Sequence, residues 1–124
     1  MARAMDQLFE TYNSGDLDGH VAMFTEDSIE LPPNQPVVIG RENIRARKIS
    51  SMERADAILN AQIDELIVAG AWAIVRMTGT GTISIKGGPT IIPDDKAILI
   101  WKKGPDGEWK LSHDIWNSNL PPDR

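Results

Sequence analysis

The 124-residue chain contains no cysteine, which excludes disulfides, thiol nucleophiles and thiolate metal sites. Histidine is nearly missing too. His20 and His113 are the only two, and neither belongs to a His-x-x-x-His or Glu-x-x-His spacing, so no metal site is expected. His20 is expected on the exposed side of a short helix, and His113 as a packing residue. No apolar run approaches the roughly 20 residues that cross a bilayer, and Met1-Ala2-Arg3-Ala4-Met5-Asp6 lacks the apolar stretch of a signal peptide. Basic excess is absent as well: the net charge of −5 argues against nucleic acid, whose phosphates require a basic face. A cytoplasmic protein with neither membrane nor nucleic-acid partner is the expectation. Arg41, Arg45, Arg47 and Lys48 do cluster, but on a helix that also bears Glu42 and Glu53, and they read as a solvated face.

What is present suits one folded domain over residues 1–124. A content of 41% hydrophobic and 25% charged residues is that of an ordinary globular chain of this length. Met5, Leu8, Phe9 and Tyr12 recur at helical spacing and predict an amphipathic helix over about Ala4 to Asn13, stopped by Asn13-Ser14-Gly15. Ser14 or Asp16 can cap a second, shorter helix carrying Leu17, Val21, Met23 and Phe24. Thr25-Glu26-Asp27-Ser28 leads into a short strand, Ile29-Glu30-Leu31, ended by Pro32-Pro33. Gly40 opens a third helix that runs to about Arg54.

From Ala57 the texture is that of strands: 58–68, 72–85, 96–102 and 108–118, separated by Ala69-Gly70-Ala71, Gly87-Gly88-Pro89 and Gly104-Pro105-Asp106-Gly107. Leu120-Pro121-Pro122 reads as an extended tail. Helices followed by a meander of long antiparallel strands predict an α+β fold, helices on one side of a curved sheet. Gly79-Thr80-Gly81 lacks a third glycine and continues into strand texture, so it reads as a bend or bulge and not as a phosphate loop.

Chemistry concentrates in the last strand. Its two parities, Trp109-Leu111-His113-Ile115-Asn117 and Lys110-Ser112-Asp114-Trp116-Ser118, are both partly apolar, so both faces should be covered. Asp114 there needs a partner or a shifted pKa, because burying a bare carboxylate is costly. Arg76, mid-strand between Val75 and Met77, needs an anion for the same reason, and an Asp114–Arg76 pair at a pocket wall is expected. A purely structural pairing of Asp114 with an arginine is the alternative. Four tryptophans against two phenylalanines and one tyrosine suit a pocket lining or a subunit interface. Trp116 is expected in the pocket.

Tyr12-Asn13-Ser14-Gly15-Asp16-Leu17-Asp18 followed by Phe24-Thr25-Glu26-Asp27 resembles the opening of nuclear transport factor 2-like proteins, among them SnoaL-like cyclases and ketosteroid isomerases. The close, Asp106-Gly107-Glu108-Trp109-Lys110-Leu111 and Asp114-Ile115-Trp116-Asn117-Ser118, is similar to a bacterial subgroup of mostly uncharacterised members. This resemblance implies a cone-shaped, cystatin-like roll: three N-terminal helices packed on a strongly curved antiparallel sheet, an internal cavity, and a homodimer. Met5, Leu8 and Tyr12 would face the cavity opposite Asp114 and Trp116. The isomerase's helix-one tyrosine falls at Leu8 and its general-base aspartate at Pro32, which argues against steroid isomerisation. Its third carboxyl falls near Asp95. Limonene-epoxide-hydrolase-like members set an arginine between two aspartates. Here Arg76-Met77-Thr78 keeps the arginine and places threonine at the first aspartate, with Asp114 as the second. SnoaL-like cyclases use a pocket aspartate, for which Asp114 is the candidate.

The sequence therefore points to a small apolar organic ligand bound in an internal pocket. Acid/base chemistry of isomerase, cyclase or hydrolase type would fall to Asp114 and Arg76, with Tyr12, Leu8, Trp116 and Asp95 as ligand contacts and no cofactor. The other reading is a non-catalytic dimeric carrier or assembly module, since one fold of this kind hosts many roles.

Overall fold

Helical period and turn chemistry set the first half of the chain in the computed structural model, which describes residues 1–121. Helix α1 (Ala2–Asn13) buries Met5 and Leu8 along one stripe. Helix α2 (Leu17–Val21) is capped by Asp16, whose carboxylate accepts from the Gly19 amide at 3.0 Å. Strand β1 (Phe24–Leu31) and the two-residue β2 (Val38–Ile39) precede helix α3 (Arg41–Arg54). Thr25 to Ser28, expected as a lead-in, are already strand, with an irregular register between Phe24 and Ile29.

The second half is sheet: β3 (Ala55–Ala69), β4 (Trp72–Ile85), β5 (Thr90–Ile91), β6 (Asp95–Lys103) and β7 (Trp109–Ser118). Strand order is β2-β1-β7-β6-β4-β3, with β5 paired to β4. Every pairing is antiparallel except β1–β7, which is parallel. The sheet is thus mixed rather than purely antiparallel. A strand returning from the helices joins the edge that β7 leaves open. Of the expected tail, Leu120 and Pro121 are exposed, and Pro122 lies outside the described residues.

Together these elements make an α+β cone, helices laid over the inside of a curved sheet. Asn13 ties the end of α1 to β3: its side chain donates to the Leu59 carbonyl at 2.7 Å and accepts from the Leu59 amide at 2.8 Å. Gly81 bends β4 without a bulge, since Leu59 and Gly81 stay in register. Its φ of +135° leaves the Ile58 carbonyl oxygen 2.0 Å from where a Cβ would sit, so only glycine fits. True bulges fall elsewhere, at Asp64 in β3 and at Ser112 in β7.

One end of the cone is packed solid by Met5, Phe24, Ile44, Val75, Leu99, Trp101 and Leu111. The rest of the interior stays open. Outside, the sheet shows Trp72, Ile74, Ile98 and Ile115 to solvent. No described helix is long and apolar enough to cross a membrane.

Candidate functional site

The open part of the cone is a cavity of about 460 Å³, within the range of small-ligand sites. Its walls are mostly apolar. Leu8, Tyr12, Asp95, Asp114 and Trp116 all line it. Met5 does not, being sealed into the core beneath.

Ser112 decides where the end of β7 points. Leu111 pairs with Trp101 and His113 with Ile100, so Ser112 is an extra residue between them. Before it Leu111 faces in; after it Asp114 and Trp116 do, opposite the inward Leu99 and Ala97. The two apolar parities of this strand are therefore largely one inner face shifted by one residue.

That shift separates the expected ion pair. Arg76 pairs in register with Ile98 and belongs to the outer face of β4. Its side chain is 54% exposed and meets Glu65 at 3.4 Å and Asp64 at 4.0 Å. Arg76 reaches neither Asp114 nor the cavity. Its anions come from β3, the neighbouring strand.

The cations that do reach Asp114's surroundings come from α3. Arg47 and Lys48 lie three and four residues beyond the fully buried Ile44 and share its face. The expected solvated face is thus only partly so: Arg41 and Arg45 are about one-third exposed and pair with Glu26 and Asp18, whereas Lys48's side chain is only 10% exposed. Both inward cations converge on Glu30 of β1, which is 0% exposed. Arg47 donates through Nε to Oε1, and Lys48 Nζ lies 3.3 Å from Oε2. The Arg47 guanidinium also stacks 5.2 Å from the Trp116 ring centre, and the Lys48 ammonium stands 5.4 Å from the Tyr12 ring and 5.6 Å from the Phe24 ring.

Electrostatics follow from this placement. Asp114 keeps some accessible surface, but it opens onto the cavity wall, and desolvation there pushes its carboxyl up to about 7. Lys48 and Arg47 pull the other way, and Glu30 adds to the rise. For Glu30 burial also opposes ionisation, but Lys48 and Arg47 together outweigh it and hold its pKa below the usual value. Burial raises the Tyr12 phenol. It raises Asp95 as well, with Asp94 contributing.

His20 is buried rather than exposed, at 3%, edge-on to Tyr12 and Phe24 with ring centres 5.4 and 5.3 Å away. Its Nδ1 donates to the Leu8 carbonyl at 2.9 Å, which leaves Nε2 unprotonated and without a partner among the described residues. Burial first, then Lys48's charge, lowers its pKa to about 4. The short helix turns this face onto α1, where packing outweighs the polarity of the ring.

Three comparisons bear on this geometry. Residues 5–111 match the SnoaL-like domain family. The chain belongs to that family. Asp114 and Trp116 lie beyond the matched span. The sequence matches no curated protein. Among solved structures the SnoaL-like chain is similar to a ketosteroid isomerase-like protein from Erwinia carotovora atroseptica SCRI1043, at 20% identity and a TM-score of 0.89 over 97% of this chain and 94% of that one. It is also similar to a putative dehydratase of the NTF2-like family from Streptomyces avermitilis, at 18% identity and a TM-score of 0.81 over 97% and 94%. A third is a putative aromatic ring hydroxylase from Novosphingobium aromaticivorans DSM, at 16% and 0.82 over 97% and 87%. At these identities the shared feature is the fold, an NTF2-like cone.

Proposed function

We propose that this SnoaL-like protein binds a small, largely apolar organic molecule in the cavity and moves a proton on it with Asp114. The observation that carries this is the Asp114 carboxyl on a mostly apolar cavity wall, where desolvation pushes its pKa up to about 7. Near neutral pH it is present in both forms, the condition under which one group serves as base and acid in turn. Taking a proton from a carbon next to a carbonyl leaves an enolate, and the Lys48 ammonium is the cation placed to lower its energy. Returning the proton elsewhere on the same skeleton gives isomerisation; attack on a second carbonyl gives ring closure. Tyr12 and Trp116 shape the walls.

Only Trp116 of the four tryptophans lines the cavity, so tryptophans do not fill the space, although Arg76 is not in it either. Exchange of the α-hydrogens of 2-tetralone in heavy water, followed by proton NMR, tests the reading. Protein-accelerated exchange that disappears in Asp114→Asn is expected. Equal exchange by both proteins sinks it.

A second copy is the other half of the reading. Trp72, Ile74, Ile98 and Ile115 are all exposed on the outer sheet face, beside Arg76, which pairs in register with Ile98; so many large apolar groups on one face favour a partner surface. We infer that two copies meet there, burying the patch symmetrically.

A further inference from the structure

We propose that the ligand carries one carboxylate, seated on the terminal nitrogens of Arg47, with its apolar body filling the cavity toward Asp95. This deepens the reading above and rests on the cavity being a ligand site. Arg47 is committed through Nε alone. Its two Nη nitrogens have no protein acceptor among the described residues, although the side chain is only 17% exposed and lines the cavity. The guanidinium carbon lies 5.2 Å from the Trp116 ring centre, which holds the group against the ring and leaves its Nη edge available to a two-oxygen acceptor.

Charge points the same way. Arg47 and Lys48 contribute two positive charges and Glu30 one negative. When Asp114 is neutral, this end of the cavity holds one positive charge without a counterion in an apolar surrounding. A monoanionic head group balances it, and a neutral or cationic one does not. Asp95 is four residues along β6 from Leu99, the partner of Asp114, hence about 13 Å away at strand spacing.

Binding is then linked to Asp114. An anion on Arg47 favours the neutral carboxyl, and an ionised Asp114 competes for the same cations. The other groups facing this space are Tyr12 from α1, His20 from α2, Arg47, Lys48 and Arg54 from α3, and Asp95 from β6, with Glu30 of β1 behind Arg47 and Lys48. His20, at about 4, and the raised Tyr12 are neutral from pH 6 to 8.5, and an Asp114→Asn control separates Asp114 from Asp95.

Isothermal titration with three probes on one skeleton tests the inference: 2-naphthoate, 2-naphthalenemethanol and 2-naphthylmethylammonium. At pH 6 the wild-type protein should prefer the carboxylate over the alcohol by about tenfold or more, with the ammonium weakest. The carboxylate-to-alcohol ratio should fall toward one in Arg47→Met and to an intermediate value in Arg47→Lys. The latter keeps the charge near Glu30 should the former not fold. Raising the pH from 6 to 8.5 should weaken naphthoate in the wild type and not in Asp114→Asn. Equal binding of acid and alcohol by the wild type, or a preference that survives both Arg47 variants, overturns the carboxylate seat and leaves the cavity as a ligand site. Failure of all three probes overturns both readings.

Discussion

Glu30 and Asp114 stand opposite each other on the parallel strands β1 and β7, both on the inner face, with backbones about 4.8 Å apart. Two carboxylates so placed cannot both ionise cheaply, and their surroundings divide the roles. Arg47 and Lys48 pair with Glu30, so Glu30 keeps the charge and Asp114 holds its proton up to about pH 7. Replacing Glu30→Gln removes the neighbouring negative charge and frees both cations for Asp114. Carboxyl-selective NMR titration should then find the Asp114 midpoint moved well to the acid side of 7. An unmoved midpoint would mean that desolvation acts alone.

Asp114 should cost stability when it ionises. Its folded pKa of about 7 lies above the ordinary carboxylate value near 3.9, so the folded state binds the extra proton and stability falls as pH rises between these values. Above pH 7 the Asp114→Asn protein should be more stable than the wild type by about 2 to 4 kcal/mol, and at pH 4 nearly equal to it. Urea midpoints at the two pH values measure this.

His20 works in the opposite direction. Its folded pKa of about 4 lies below the ordinary 6.5, so the unfolded chain binds the proton and stability falls as pH drops from 6.5 to 4. Over that interval the two groups offset each other. The offset should show in single variants: stability that rises with pH in Asp114→Asn and falls with pH in His20→Asn, measured by thermal melts across pH 4 to 6.5.

Lys48→Met should destabilise by about 3 kcal/mol, because it strips one of two partners from a fully buried carboxylate. Adding Glu30→Gln to it should restore much of the loss. Additive losses in the double variant would show that Lys48 acts by packing alone.

Ile98→Asp on the outer sheet face should halve the mass seen by sedimentation at micromolar concentration while leaving naphthoate binding in place. A wild type already monomeric there rules out the paired copies.

Most of the architecture was legible because it rests on local rules: the Met5–Tyr12 stripe, the Asp16 cap, and the glycine turns between long strands. The charged end of the cavity was not, for a reason visible at Glu30. Ile29 and Leu31 flank it, and alternation alone turns the apolar pair inward. Instead Ser28 and Glu30 are buried and Leu31 is exposed, because two cations from α3 meet the carboxylate. A signal for those cations existed. Ile44 is the first large apolar residue of α3, and Arg47 and Lys48 share its face at three and four residues' distance. The Asp114–Arg76 pairing failed through the one-residue shift at Ser112, which composition does not reveal.

Ser112 therefore acts as a change of phase in the code of β7. Up to Leu111 the odd positions speak for the interior; afterwards the even positions do. A gapless alignment across this point would hand Asp114's place in the cavity to His113 or Ile115 and turn the acid out toward the solvent. Relatives that lack the extra residue and those that have it could share nearly every letter of this strand and still present different chemistry to a ligand.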